Sequence, residues 1–134
     1  MKILGIDHGK KRVGVAVSDA GRVHAFPLEA VPGKDRHQLL SRIQALVEEH
    51  GVNEVVVGLP LTMMGEVGPQ ARKVQEFVER LERKLGEAVK VVAWDERLSS
   101  TQADRGRGGA KAEEGMRDMM AAVVILQSYL NRKP

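Results

Sequence analysis

Lys2-Ile-Leu-Gly-Ile-Asp7, His8-Gly-Lys-Lys11 and Arg12-Val-Gly-Val-Ala-Val-Ser18 are the residues whose reading decides the fold. The first run is short, mostly apolar and ends on an acid; the second is a turn. The third alternates, with Val13, Val15 and Val17 on one face and Gly14, Ala16 and Ser18 on the other. Asp19-Ala20-Gly21 turns the chain again, and residues 22–29 make a third strand. So few residues separate these strands that no crossover helix fits between them, and they must form an antiparallel meander. The face of small residues on the middle strand predicts that something packs closely over it.

Beyond Pro32-Gly33 the period changes. Residues 35–49 carry Leu39, Leu40, Ile43, Leu46 and Val47 at helical spacing, with Gly51 as C-terminal stop. Glu54-Val-Val-Val-Gly58 has the apolar continuity of a buried parallel strand. A loop over 59–68 follows, rich in Gly, Pro and Met. Its apolar Leu61, Met63 and Met64 make it a lid, a dimer contact or a segment folded back on its own domain. Pro69 opens a helix with Ala71, Val74, Phe77, Val78, Leu81 and Leu85 on one face, stopping at Gly86. Residues 89–94 form the fifth strand, ending at Asp95-Glu96, and Ser99 or Ser100 caps a short helix. Gly106-Arg107-Gly108-Gly109 is expected to be flexible. A last helix runs from about Lys111 or Glu113 to Leu130. The order β-β-β-α-β-α-β-α shows no repeat and no boundary, so residues 1–134 are read as a single α/β domain. It is the order of a ribonuclease H-like domain: a mixed five-stranded sheet, three antiparallel strands then parallel ones, flanked by helices. A pure Rossmann sheet is excluded, because it needs a helix directly after its first strand. A generic α/β domain with a hairpin extension is the competing architecture.

Composition narrows the function. At 134 residues the chain is about one domain in size, enough to bury roughly 70% of its unfolded surface. With one Trp, one Tyr and two Phe, the core must be aliphatic, and base stacking is not the main binding mode. The absence of Cys excludes disulfides, thiolate zinc sites and cysteine nucleophiles. No apolar run approaches a membrane span, and the N-terminus meets a charge too soon for a secretory signal, so a cytoplasmic address with no membrane partner is expected. The net charge of +3 is a mild basic bias, and its distribution says more. Lys10-Lys11-Arg12 is one cluster; Arg97, Arg105, Arg107 and Lys111 form a looser second one. Each lies beside an acid. Cations that draw in phosphates, next to carboxylates that hold metal, are what a nuclease needs.

Three acids stand out. Asp7 ends the first strand between Gly5 and Gly9, which would let a phosphate backbone come close; a surface turn aspartate is the alternative. Asp95 and Glu96 end the fifth strand and point to opposite sides, so one of them faces any site there; alternation does not say which. Asp118 starts an apolar stripe that continues through Ala121, Ala122, Ile125, Leu126 and Tyr129. A charge on a core-facing stripe needs a partner, either a salt bridge to Arg97 or Arg117 or a shared metal. Acids from three well-separated segments suit a two-metal phosphodiesterase, in which no histidine base is required. His8 points away from Asp7 and is not expected to be a ligand. His24, His37 and His50 have no ligand spacing.

Four ordered motifs extend this reading. Leu4-Gly-Ile-Asp-His-Gly-Lys-Lys-Arg-Val-Gly-Val-Ala-Val-Ser-Asp19 resembles the first motif of the YqgF/RuvX family, and Gly58-Leu-Pro-Leu with Gly65 and Gly68 resembles its second. Asp95-Glu-Arg-Leu98 with Ser99-Ser100-Thr101 looks like the third, and Asp118 with Ala121-Ala122 and Ile125-Leu-Gln127 like the last. The resemblance covers nearly the whole chain. It implies a ribonuclease H-like fold and a nuclease; the family's members are described as Holliday junction resolvases and as nucleases maturing the 5′ end of small-subunit ribosomal RNA. It also implies Asp7, Glu96 and Asp118 as the catalytic and metal-binding acids, deciding for Glu96 over Asp95. Two positions depart from the family's pattern: His8 stands where Tyr or Phe is commoner, and Met64 where Asp is usual.

The expected activity is therefore a Mg²⁺- or Mn²⁺-dependent endonuclease acting on precursor ribosomal RNA. Lys10, Lys11, Arg12, Thr62, Arg97, Arg105 and Arg107 are the candidate nucleic-acid contacts. A junction resolvase acting on branched DNA is one alternative, and it would require a symmetric dimer where the sequence leaves monomer or homodimer open. A non-catalytic nucleic-acid or ribosome-binding module is another, and Asp118 speaks against it. An actin-like or sugar-kinase ATPase needs two such domains, more than 134 residues supply.

Overall fold

A computed structural model describes residues 1–99 and 114–132. The opening meander is present as β1 (Lys2–His8), β2 (Arg12–Ser18) and β3 (Ala25–Pro32), all antiparallel neighbours. β3 starts later than the expected residue 22 and runs on to Pro32. The intervening residues are spent in a tight turn. The Asp19 carboxylate accepts the backbone N–H groups of Val23 and His24, and Arg22 takes a left-handed φ of 60°.

The alternating half follows the expected order. α1 (Arg36–Glu49) is capped by the Asp35 side chain, which accepts from the Gln38 N–H, and ends at His50 with Gly51 at φ 63°. β4 (Val52–Leu59) runs parallel to β1, α2 covers Pro69–Leu85, and β5 (Lys90–Asp95) runs parallel to β4. A 3₁₀ turn over Glu96–Ser99 follows at once, with the Asp95 carboxylate accepting the Arg97 N–H. The expected cap falls on Ser99, whose side chain lies outside the described residues, or on Ser100. α3 spans Glu114–Leu130. Ser100, the glycines 106, 108 and 109, and the expected helix starts Lys111 and Glu113 lie outside the described residues.

The sheet order is β3-β2-β1-β4-β5, and helices cover both faces. α1 and α2 pack against Leu4, Ile6, Val13, Val15, Val55 and Val57; α3 packs against Ile3, Ala16 and Val56. The central strands are buried on both faces, which is why they read as near-continuous apolar runs. α3 sits on the small-residue face of β2, as the alternation predicted. A Cβ on Gly5 would lie 2.6 Å from the Leu126 Cβ, and one on Gly14 would lie 1.9 Å from the Asp118 carbonyl oxygen. One charge in the core was not anticipated. Glu54, read as part of an apolar run, is 8% exposed; its carboxylate accepts the Tyr129 hydroxyl and lies 3.7 Å from Arg22 Nη1. The fixed donor and the nearby guanidinium are what let that acid stay buried. No described helix is long and apolar enough to cross a membrane.

The close seating of α3 has a direct test. Gly14→Ala must push main chain rather than a flexible side-chain tip, so it is expected to destabilise by about 1–3 kcal/mol or more. Chemical denaturation of the variant beside the parent reads this; equal midpoints would show that α3 does not rest on β2.

Candidate metal and nucleic-acid site

Asp7, Glu96 and Asp118 reach one face of the sheet by three routes. Asp7 lies near the end of β1, and alternation puts it on the α3 side with Ile3 and Gly5. Glu96 arrives from the end of β5, and its Oε2 lies 2.8 Å from where a Cβ on Gly58 would stand. Asp118 arrives near the start of α3, with its carbonyl against Gly14. The register aligns these positions. Asp7 is paired with Gly14 across β1 and β2, and Ile6 with Val57 across β1 and β4, so Asp7 and Gly58 are the next neighbours. The acids thus form a row over three adjacent strands spaced about 4.8 Å apart. Asp7 belongs to the middle strand, and the outer two acids lie over glycines. Asp95 turns elsewhere: it accepts from Arg97 Nε and Nη2 at 2.8–3.1 Å, and that guanidinium holds its carboxyl below the usual range. Of the pair left open by alternation, Glu96 is the one on the α3 side.

The row is not closed into a cage. Among the described residues, no three His, Cys, Asp or Glu side chains stand close enough to hold one ion. Asp118 is turned toward Arg12, whose Nε donates to its Oδ2 at 2.6 Å, while Arg12 Nη2 donates to Glu114 at 3.0 Å. The salt-bridge alternative had named Arg97 or Arg117 as partner; the partner is Arg12, which the sequence reading had given to phosphates. The pair is part exposed, at 31% and 26% for the two side chains, so solvent screens it.

The remaining candidates divide. Lys10 and Lys11 are exposed on the turn that follows β1, at the same sheet edge as Asp7. Arg97 is engaged with Asp95, and its guanidinium lies against Gly65 and donates to the Met63 carbonyl at 3.5 Å. Through Arg97 the 59–68 loop is tied back to its own domain, with Met63 and Met64 exposed at its tip. The Thr62 hydroxyl accepts the Glu66 N–H, which stabilises that loop and leaves the hydroxyl proton to donate. Arg105 and Arg107 lie outside the described residues, as does Lys111.

The glycines expected to admit a phosphate are otherwise employed. Gly5 lies under Leu126, and a Cβ on Gly9 would meet the Arg12 carbonyl oxygen at 2.5 Å. Gly14 and Gly58 flank Asp7 across the sheet, and their missing side chains admit the Asp118 main chain and the Glu96 side chain. The available signal for Gly58 was its place at the end of an apolar run adjoining the first strand. The donor set fits a hard divalent cation, since all three side chains offer carboxylate oxygens. For Asp118 to join, it must exchange Arg12 for the ion. His8 is on the other face, its ring 4.6 Å from that of Phe77, in keeping with its exclusion as a ligand.

Comparison with known proteins bears on the family and the fold. A family model described as "RuvX: Holliday junction resolvase" matches residues 1–132. A protein of Desulforudis audaxviator named "Putative pre-16S rRNA nuclease" is 36% identical, covering 99% of this chain and 96% of its own length. A Chloroflexus aggregans protein of the same name is 44% identical, covering 98% and 94%. Among solved structures, Thermus thermophilus RuvC in complex with a Holliday junction substrate superimposes with a TM-score of 0.63 at 18% identity, over 96% of this chain and 92% of that one. The fowlpox virus Holliday junction resolvase gives 0.56 at 14% identity, over 97% and 98%. At these identities the two structures speak for the fold alone, a RuvC-like mixed sheet.

Thermal unfolding with and without Mn²⁺ separates a structural from a ligand role for Asp118. Because the Arg12 pair is part exposed, Asp118→Asn is expected to leave metal-free unfolding close to that of the parent and to erase the rise that Mn²⁺ gives. A large loss of stability that Mn²⁺ does not influence would make Asp118 a salt-bridge residue only.

Proposed function

The chain belongs to the RuvX family, and from that premise we propose that it is a divalent-metal-dependent endonuclease maturing the 5′ end of precursor 16S ribosomal RNA. That substrate makes the protein cytoplasmic. The observation that carries the reading is the row of Asp7, Glu96 and Asp118 over adjacent strands, with Gly14 and Gly58 admitting Asp118 and Glu96 to either side of Asp7. These three acids are the proposed holders of Mg²⁺ or Mn²⁺. When bound, the metal supplies a water of lowered pKa and neutralises charge on the departing oxygen.

The chain's own groups do the rest. Asp7 is set on a strand buried on both faces, so its carboxylate has little freedom to drift. Arg12 neutralises Asp118 until a cation takes its place, and is then available to a phosphate. Lys10 and Lys11 hold the backbone at the same edge as point charges that carry no sequence information. Thr62 has a proton to donate, and Arg105 and Arg107 remain candidate phosphate contacts. Arg97, already bonded to Asp95, is the weakest of the set. The relatives' name favours ribosomal precursor as substrate. Junction DNA is the second reading, favoured by the description of the matching family model. It requires two sites in register, hence a homodimer, and exposed Met63 and Met64 are the candidate contact.

The deciding assay presents precursor 16S RNA and a four-way DNA junction side by side to the protein and to Asp7→Asn, with Mg²⁺ or Mn²⁺. The parent is expected to cut the RNA at its 5′ side, and the folded variant to cut neither. Full activity in Asp7→Asn would remove the acid row from the chemistry; cutting of the junction alone would replace the substrate. Lys10→Ala is expected to weaken binding alike on substrates of different sequence and to lower the salt slope by about 0.7–0.9. An unchanged slope would take Lys10 out of the footprint.

A further inference from the structure

The face of the sheet opposite the acid row carries a feature that cleavage does not use. A cavity of about 310 Å³ lies between α1 and α2 below the end of β1, lined by His8, Arg36, Lys73, Glu76, Phe77 and Arg80 among others. Three of these side chains are cations and one is an anion. Arg36, Lys73 and Arg80 enter no ion pair among the described residues, although Arg12, Arg42 and Arg97 all do. Three like charges converging on one concavity against a single anion raise the local potential for an anion.

The floor of the cavity supplies a second, independent observation. His8 stacks on Phe77 at 4.6 Å, and its Nδ1 is buried with no hydrogen-bond partner among the described residues. Buried polar atoms in folded proteins are nearly always satisfied, and an exception calls for an explanation. An imidazole can carry an N–H on Nδ1. Placed on Nδ1, that proton completes an anion site whose charge comes from the three surrounding cations.

We propose that this cavity is a second phosphate site, which holds a backbone phosphate of the nucleic-acid strand away from the bond that is cut. A strand is favoured over a free nucleotide because of where the cavity lies. His8 directly follows Asp7, and alternation puts the two on opposite faces at one edge of the sheet. A strand crossing that edge beside the Lys10-Lys11 turn passes from the acid row to the cavity. This inference rests on the nuclease reading and assigns to it a contact that fixes the strand's register.

Binding of a fluorescent single-stranded RNA oligonucleotide is measured in an Asp7→Asn background, where the strand is not cut. Lys73→Ala with Arg80→Ala, both on the exposed side of α2, is expected to weaken binding by about tenfold. It is also expected to reduce the slope of log K against log salt by about 0.7 for one phosphate. His8→Phe keeps the ring on Phe77 and removes the donor; it is expected to weaken binding by a smaller factor with the slope unchanged. The His8 ring resonances in NMR spectra of the otherwise unsubstituted background should move as oligonucleotide is added. Unchanged affinity and slope in the Lys73/Arg80 variant, with the same thermal unfolding as its parent, would overturn the site. If that double substitution, made in the parent, also left metal-dependent cleavage intact, the nuclease reading would stand without it. Movement of the His8 resonances with adenosine monophosphate but not with oligonucleotide would overturn the strand assignment in favour of a free nucleotide.

Discussion

Main chain lies against main chain where α3 crosses β1 and β2, and the placement of the acids depends on that contact. Gly5 and Gly14 remove the side chains that would otherwise hold the helix away. Leu126 and Ala122 fill the space over Gly5, and the Asp118 carbonyl rests over Gly14. Without this approach Asp118 would stand a side chain's depth further from the sheet. Aliphatic burial across the interface anchors the same helix further along, through Ile125, Leu126 and Tyr129 against Ile3, Ala16 and Val56. At roughly 25 cal/mol per Å² of apolar surface removed from water, such side chains contribute about 1.5–3 kcal/mol each. That is enough to hold a charged residue at the rim of an apolar stripe.

Electrostatics differ between the two faces of the sheet. On the α3 side a cation is embedded among acids, with Arg12 between Asp118 and Glu114. On the other side cations gather with little acid among them, around His8. One end of the sheet therefore presents carboxylates on one face and guanidinium and ammonium groups on the other, without the two sets neutralising each other throughout. Arg12 is where they meet. Its bond to Asp118 is strong in geometry and weak in energy, because water reaches both partners. A partner held this way can be exchanged for a cation at little cost.

Much of this was legible in the sequence. Three strands with no room for a helix between them had one solution, and the small face of β2 announced the close packing of α3. Asp118 at the head of an apolar stripe drew attention because a charge there needs a partner. The identity of that partner was not legible: Arg12 is distant in sequence, and only the pairing of β2 with α3 brings it close. Glu54 was read as part of an apolar strand, since nothing local reveals that Tyr129 and Arg22 converge on it. Gly5 and Gly9 were given to phosphates because they flank Asp7 in the chain, whereas Gly14 and Gly58, its neighbours across the sheet, are what let Asp118 and Glu96 come close to it. The basic cavity needed the same third dimension. Arg36, Lys73 and Arg80 come from two helices and form no motif.

The central claim is that the acids on the α3 side, and not their sequence neighbours, hold the metal. Asp95 and Glu96 test it most directly, because they are adjacent in the chain and diverge in space. Mn²⁺ binding can be followed by electron paramagnetic resonance in the parent, in Glu96→Gln and in Asp95→Asn. The account predicts that Glu96→Gln weakens Mn²⁺ binding by no less than the roughly 10–100-fold that outer-shell partners alone are worth. Asp95→Asn should bind as the parent does. Parent-like binding in Glu96→Gln, or a loss confined to Asp95→Asn, would contradict it.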